Sequence, residues 1–288
     1  MVQPKGELRT QILLTAFVCL LCLSMVYPFI HILSISFSTP AEAIRPGIHI
    51  YPLEFSVEAY KTAFRQADLW YGYANSVFRA VVGTALHLIA MLLTAYPLAK
   101  KTLPHRTFFT MVIVLTMFFS GGLIPTYMLI KSLGLYDNRW VYILPMLINT
   151  FSLLVLRNFI MALPKELEDS AKIDGAHELR ILFSIVVPLS LPALATVGLW
   201  SAVRHWNAWF DALIYIESNE KQVVQVYLRR LIIDNSIGDV HHEYGLGNVT
   251  PESIRGAALI LTITPILLVF PFLQKYFVRG IMIGSVKG

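Results

Sequence analysis

Residues 166–193 read ELEDSAKIDGAHELRILFSIVVPLSLPA, and they interrupt a chain that is otherwise mostly apolar. Glu166, Glu168, Asp169, Lys172, Asp174, His177, Glu178 and Arg180 are packed into about four helical turns. Leu163-Pro164 leads into Lys165-Glu166-Leu167-Glu168-Asp169, a proline followed by acids over the positive end of a helix, which marks a helix start. Leu167 and Ala171, four apart, give that helix one modest apolar stripe and one charged face. Gly175 permits a turn that few residues allow, and Asp174 is placed to cap a second helix from about Ala176 to Phe183. Pro188 and Pro192 follow, re-entering a second apolar run. The pattern predicts a bent pair of short helices at a membrane face. From the residues alone two uses stay open. One is a connector in which Asp174 and Gly175 serve only turn geometry; the other is a knob whose fixed bend docks in a groove of a soluble partner.

Composition sets the environment of that bend. Of 288 residues, 56% are hydrophobic and 14% charged, with a mean hydropathy of +0.62. A soluble domain carries roughly a quarter charged residues, so the chain belongs to the membrane class. The pI of about 9.1 raises the question of nucleic acid. Lys and Arg are scattered at the ends of apolar runs rather than gathered on one basic face, which argues against it. Cys19 and Cys22 sit inside an apolar run, where a redox or metal role would lack an accessible thiolate.

A spanning helix needs about 20 predominantly apolar residues. Segments near 11–37, 74–98, 108–130, 139–162, 186–212 and 256–278 qualify. The first is about twice as long as a signal-peptide core and reads as an uncleaved anchor. Basic residues outnumber acidic ones two to one on the side holding Lys5, Arg9, Lys100, Lys101, Arg106 and the 163–185 loop, and the two are nearly balanced on the other. By the positive-inside rule both termini are cytoplasmic. The expected fold is an all-α membrane protein with six transmembrane helices and a bent cytoplasmic helix between spans four and five. One polytopic domain, 1–288, is expected, with the bent loop at about 163–188.

The bend carries a family resemblance. EDSAKIDGAHELRILFSIVVPLSLPA is similar to the EAA loop of binding-protein-dependent ABC importer permeases, whose pattern runs E-A-A-x-x-D-G-A, then an apolar helix and I-x-x-P. Asp169-Ser170-Ala171 stands for E-A-A with two departures, Asp174-Gly175-Ala176 matches D-G-A, and Ile185 and Pro188 match the close. IPTYMLIKSLGLYDNRWVYILP, HWNAWFDAL and the terminal YFVRGIMIGSVKG resemble the carbohydrate-uptake branch, in particular the smaller permease of the maltose system. The resemblance implies that Asp169, Ser170, Ala171, Asp174, Gly175 and Ala176 form a coupling helix seated in a cytoplasmic ATPase. It also implies a homologous permease partner, an ATPase dimer and an extracytoplasmic solute-binding protein, in a bacterial cell membrane. The tail from Gly284 to Gly288 would reach between the ATPase subunits. No cofactor is expected in this chain: it holds no Gly-Lys pair, hence no phosphate loop, and ATP and Mg would be bound by the partner ATPase.

Other constellations concern the path. In WSAVRHWNAWFDAL, Trp206 and Trp209 offer flat apolar faces to sugar rings, while Arg204, Asn207 and Asp211 offer hydrogen bonds. An aromatic belt at the outer interface would use the same tryptophans. Gly121, Gly122 and Pro125 break helix regularity within the third apolar run, as a path-lining bend or a packed kink would. Arg79 and Arg204 read as snorkelling near outer ends, and His87 as a helix-packing histidine. HHEY, His241–Tyr244, falls short of a zinc motif, since position 246 is Leu246.

These observations favour a permease subunit of an ATP-driven importer that forms the path for a carbohydrate, an oligosaccharide by resemblance, and performs no chemistry of its own. The alternative is an ion-coupled secondary transporter, which usually carries Asp or Glu deep in its spans; none lies deep here. A membrane enzyme would need a cluster of catalytic groups, and the two polar clusters fall on opposite faces.

Overall fold

The computed structural model describes residues 5–233 and 249–285. Helices dominate, and a single isolated bridge, Ser38 to Phe55, is the β pairing among the described residues. HHEY and the last residues of the IGSVKG tail lie outside the described residues.

Among the described residues three helices are long and apolar enough to cross a membrane: α1 (Lys5–Ser36), α2 (Ala67–Ala99) and a last helix, Pro251–Ser285. Where single spans are expected over 108–130, 139–162 and 186–212, the chain is broken instead. The first becomes α3 (Arg106–Leu115) and α4 (Leu123–Ser132). Gly122 sits before α4 at φ +81, a left-handed conformation that glycine adopts without Cβ strain, and it redirects the backbone there. The second becomes two short 3-10 turns, Arg139–Met146, followed by α5 (Thr150–Met161) at a 51° bend. Asn149 caps α5, its side-chain oxygen accepting from the Ser152 N–H at 3.0 Å.

The third break has a proline cause. After α6 (Lys165–Ile173) come α7 (Glu178–Leu189) and α8 (Leu191–Asn207), bent by 81°. Pro188 has no N–H and its ring crowds the carbonyl four residues back. The helix widens to a π turn over Leu182–Val186 just before it, then breaks at Ser190 ahead of Pro192. Ala208 is extended beyond α8, and α9 (Phe210–Tyr215) is a separate short helix.

The described chain divides into two compact units. One draws on Met1–Leu69 and Leu228–Pro265. In it Phe37 stacks on Phe55 and Tyr60, Ser36 and Tyr60 share a 2.8 Å hydrogen bond, and Gly256 lets its helix approach the Ile32 carbonyl of α1. Residues 12–30 of α1 show their apolar side chains outward, Cys19 and Cys22 among them as free thiols.

The other unit, Trp70–Tyr227 and Ile266–Gly288, holds the larger cores. Met91, Ala95 and Tyr96 of α2 pack with Leu153, Leu156 and Ile160 of α5, Ile181, Leu182 and Val186 of α7, and Ala193 and Leu194 of α8. A second core joins Ile130, Val141, Tyr142 and Ile143 to Ala212, Tyr215, Ile216, Val223 and Val226.

Candidate functional site

The bend at 165–189 is built from its backbone hydrogen bonds. Pro164 stands just before α6, and Glu166 and Glu168 occupy the first turn. At the other end Gly175 N–H donates to the Lys172 carbonyl at 3.0 Å and Ala176 N–H to the Ala171 carbonyl at 2.9 Å. These are the two bonds of a Schellman helix end, with Gly175 in the left-handed position at φ +77. Asp174 therefore closes α6; it does not cap the next helix. That place belongs to His177, whose carbonyl accepts from Ile181 N–H at 3.1 Å. The expectation for Asp174 put the aspartate's capping preference ahead of the glycine's conformation, and the glycine decides.

Ala171 and Ala176 are the residues that such a helix end brings into apolar contact, and both lie against the core of α2, α5, α7 and α8. Asp169, Ser170, Asp174 and Gly175 face outward. Ile173 is 87% exposed, the most open of the large apolar side chains described.

A polar cluster then ties the bend to the end of α2. Tyr96 Oη donates to Glu178 Oε2 at 2.5 Å, Lys172 Nζ to Glu178 Oε1 at 2.9 Å, and Lys100 pairs with Glu168 and, at 3.5 Å, with Glu178. Lys100 also lies 4.2 Å from the Tyr96 ring centroid. The Glu178 hydrogen bond raises the Lys172 ammonium above the ordinary lysine range. The bend is thus held on an apolar core and tied by these charges to the end of α2 and the start of α7.

The residues assigned to a path separate into two places. Asn207, Trp209 and Asp211 line a cavity of about 460 Å³ with Thr126, Met146 and Tyr215. Arg204 lines another, of about 240 Å³, with Asn149, Phe151, Ser152, Trp200 and Ser201. Trp206 lines neither; it is 7% exposed and its ring lies 6.3 Å from that of Tyr73. Gly122 and Pro125 are exposed at the start of α4, and Thr126 Oγ1 donates to the Gly122 carbonyl at 2.7 Å. A larger groove, about 1060 Å³, flanks α3 among Phe108, Met111, Leu115 and Phe118. Lys101, His105, Arg106, Thr107, Thr110 and Arg157 line it as well, so it mixes charged, polar and apolar side chains as the two smaller cavities do.

Arg79 does not snorkel. It has no exposed surface; its guanidinium donates to Asp211 Oδ2 at 2.5 Å and to the Ala208 carbonyl at 2.9 Å, over the Tyr142 ring. Asp211 thus presents its carboxylate to an arginine at the cavity wall. His87, 1% exposed, donates from Nδ1 to the Leu147 carbonyl at 2.9 Å, as a packing histidine does. Sequence reasoning missed Trp200, Ser201, Asn149 and Ser152, which share a cavity only because α8 packs beside α5. A tryptophan four residues before Arg204 was the available signal.

Comparison with known proteins shows the family of the chain. The family described as binding-protein-dependent transport system inner membrane component matches residues 73–283. The polygalacturonan/rhamnogalacturonan transport system permease protein YtcP of Bacillus subtilis is 42% identical over 96% of this chain and 97% of its own. The arabinooligosaccharides transport system permease protein AraQ of Halalkalibacterium halodurans is 29% identical over 91% of both. In the crystal structure of a bacterial ABC transporter that imports the acidic polysaccharide alginate, one chain superposes with a TM-score of 0.90 at 30% identity. That match covers 96% of this chain and 99% of the other.

Proposed function

We propose, for a chain that belongs to the family of binding-protein-dependent transport system inner membrane components, the role of permease subunit in an ATP-driven oligosaccharide importer. Such subunits are transport components, not enzymes, and the relatives named for sugar polymers and oligomers supply the cargo class. The apolar helices make the chain a multi-pass membrane protein. We read the broken helices as completing six spans in one permease domain, with both termini cytoplasmic. A homologous permease, an ATPase dimer that binds ATP and Mg, and an extracytoplasmic binding protein complete the assembly.

The observation that carries the reading is the bend at 165–189. Its apolar tip, Ile173, faces outward while Ala171 and Ala176 seat on the core, the form of a knob for a groove. Asp169 to Ala176 would transmit closure of the ATPase through α7 and α2 to the spans, a rigid-body shift between two states. Arg204, Asn207, Trp209 and Asp211 would border the path, Gly122 and Pro125 its bend, and Trp206 would support it from behind.

Co-purification tests the docking. The wild-type chain, co-expressed with its partner subunits and extracted in mild detergent, retains the ATPase. Ile173→Asp, which changes an exposed side chain and no span, loses most of it. Retention of the ATPase at wild-type level by Ile173→Asp, or no ATPase with a folded wild type, would overturn this reading.

A further inference from the structure

We infer that the cavity between the N-terminal end of α5 and the C-terminal half of α8 receives the carboxylate of an acidic sugar unit, with Arg204 as its counter-charge. The inference rests on the importer reading and names the kind of oligosaccharide.

Arg204 stays cationic in a protein. Among the described residues no carboxylate pairs with it; its guanidinium reaches the Met146 carbonyl at 3.4 Å, and Nε has no partner. Arg79, on a neighbouring helix, shows the usual solution, a bidentate bond to Asp211. A half-buried guanidinium with no anion beside it points to a ligand that brings one, since a buried charge is costly unless paired.

A second observation points the same way. Ser201, 2% exposed on the wall of the same cavity, has a hydroxyl with no hydrogen-bond partner among the described residues. Asn149 commits its side-chain oxygen to the cap of α5, which leaves its NH₂ group as donor. The polar wall is thus rich in donors, complementary to a group that only accepts, and the planar guanidinium matches a carboxylate bidentately.

The apolar wall fits a sugar. Trp200 is 37% exposed and its ring lies 5.7 Å from that of Phe151, giving two flat faces beside the charge. The volume of about 240 Å³ is below the roughly 300–1,000 Å³ that holds a whole drug-sized ligand. It takes one unit of a chain at a time. An acidic unit gripped here during passage would give the permease a preference of its own, separate from that of the binding protein.

The test uses the complete importer in proteoliposomes, with a uronic-acid tetrasaccharide and its carboxyl-reduced neutral counterpart. Each variant's rate is divided by that of the wild type for the same sugar, so the binding protein's own preference cancels. Arg204→Gln lowers acidic uptake by about tenfold or more relative to neutral uptake, the size of one charge-assisted hydrogen bond, and Arg204→Lys, which keeps the charge without the fork, restores part of it. Asn149→Asp keeps a good cap for α5 while adding a competing carboxylate, and it selectively lowers acidic uptake. That variant carries the test if Arg204→Gln fails to assemble. Equal loss with Gln and Lys, equal loss for both sugars, or a wild type that carries the neutral sugar alone would overturn the inference and leave the importer reading standing. A wild type that carries neither sugar with ATP and binding protein present would sink both.

Discussion

Arg79 and Asp211 stand 132 positions apart and meet as a bidentate pair under Tyr142, with Arg79 fully buried. Removing one member strands the other charge, a loss of about 3–5 kcal/mol, whereas an apolar pair of similar volume restores much of it. Arg79→Ala should therefore unfold well before wild type in detergent, and Arg79→Met with Asp211→Leu should recover most of the difference; additive losses would contradict the pairing. The pair was illegible in the sequence because a position near a helix end looks the same for a snorkelling arginine and a paired one. Gly175 was legible for the opposite reason. Its role is local, fixed by a left-handed backbone and two hydrogen bonds within five residues. The neighbouring Asp174 was misread because aspartate caps helices at their starts more often than it precedes a terminal glycine.

At the scale of elements, apolar length alone overstated continuity: three of the expected spans are broken, at Gly122, between Met146 and Thr150, and between Pro188 and Pro192. The Gly-Gly-x-x-Pro signal near Gly122 was readable, but the direction taken after each break depends on packing that no window of sequence contains. The turn before Arg139, between two expected spans, shows how such packing fixes the chain's direction. Asp137 has φ +50, and its carboxylate accepts from Lys221 Nζ at 2.7 Å, Ser218 Oγ at 2.6 Å and the Ser218 and Glu217 N–H groups. Burial pushes this carboxyl upward, but the Lys221 and Ser218 bonds outweigh it and hold the group well below the usual aspartate range. A depressed carboxyl contributes stability that is complete above its unfolded pKa, about 3.9, and is lost as pH falls from there through the folded value. The advantage of wild type over Asp137→Asn in melting temperature should hold from pH 7 to about 5 and shrink below about 4. An advantage that grows on acidification would contradict the assignment.

For the whole molecule, composition and hydropathy identify a polytopic membrane protein, and the EAA-like motif identifies its kind, because both are written locally. The cavities are not. Trp200, Ser201 and Arg204 become neighbours of Asn149 and Phe151 only through the packing of α8 on α5, so the site emerges from tertiary structure. In the proposed importer, ATP hydrolysis in a partner drives sugar passage through the bend at 165–189. Gly175→Pro tests it most directly, since proline cannot adopt φ +77 and lacks the N–H that closes α6 on Lys172. The measurement is uptake of labelled oligosaccharide by proteoliposomes holding the complete importer, with and without internal ATP. Wild-type uptake should require both ATP and the binding protein, and Gly175→Pro should fall below about a tenth of it, a loss of at least 1.4 kcal/mol in coupling. Uptake that follows an ion gradient without ATP, or wild-type uptake by a folded Gly175→Pro, would contradict the account.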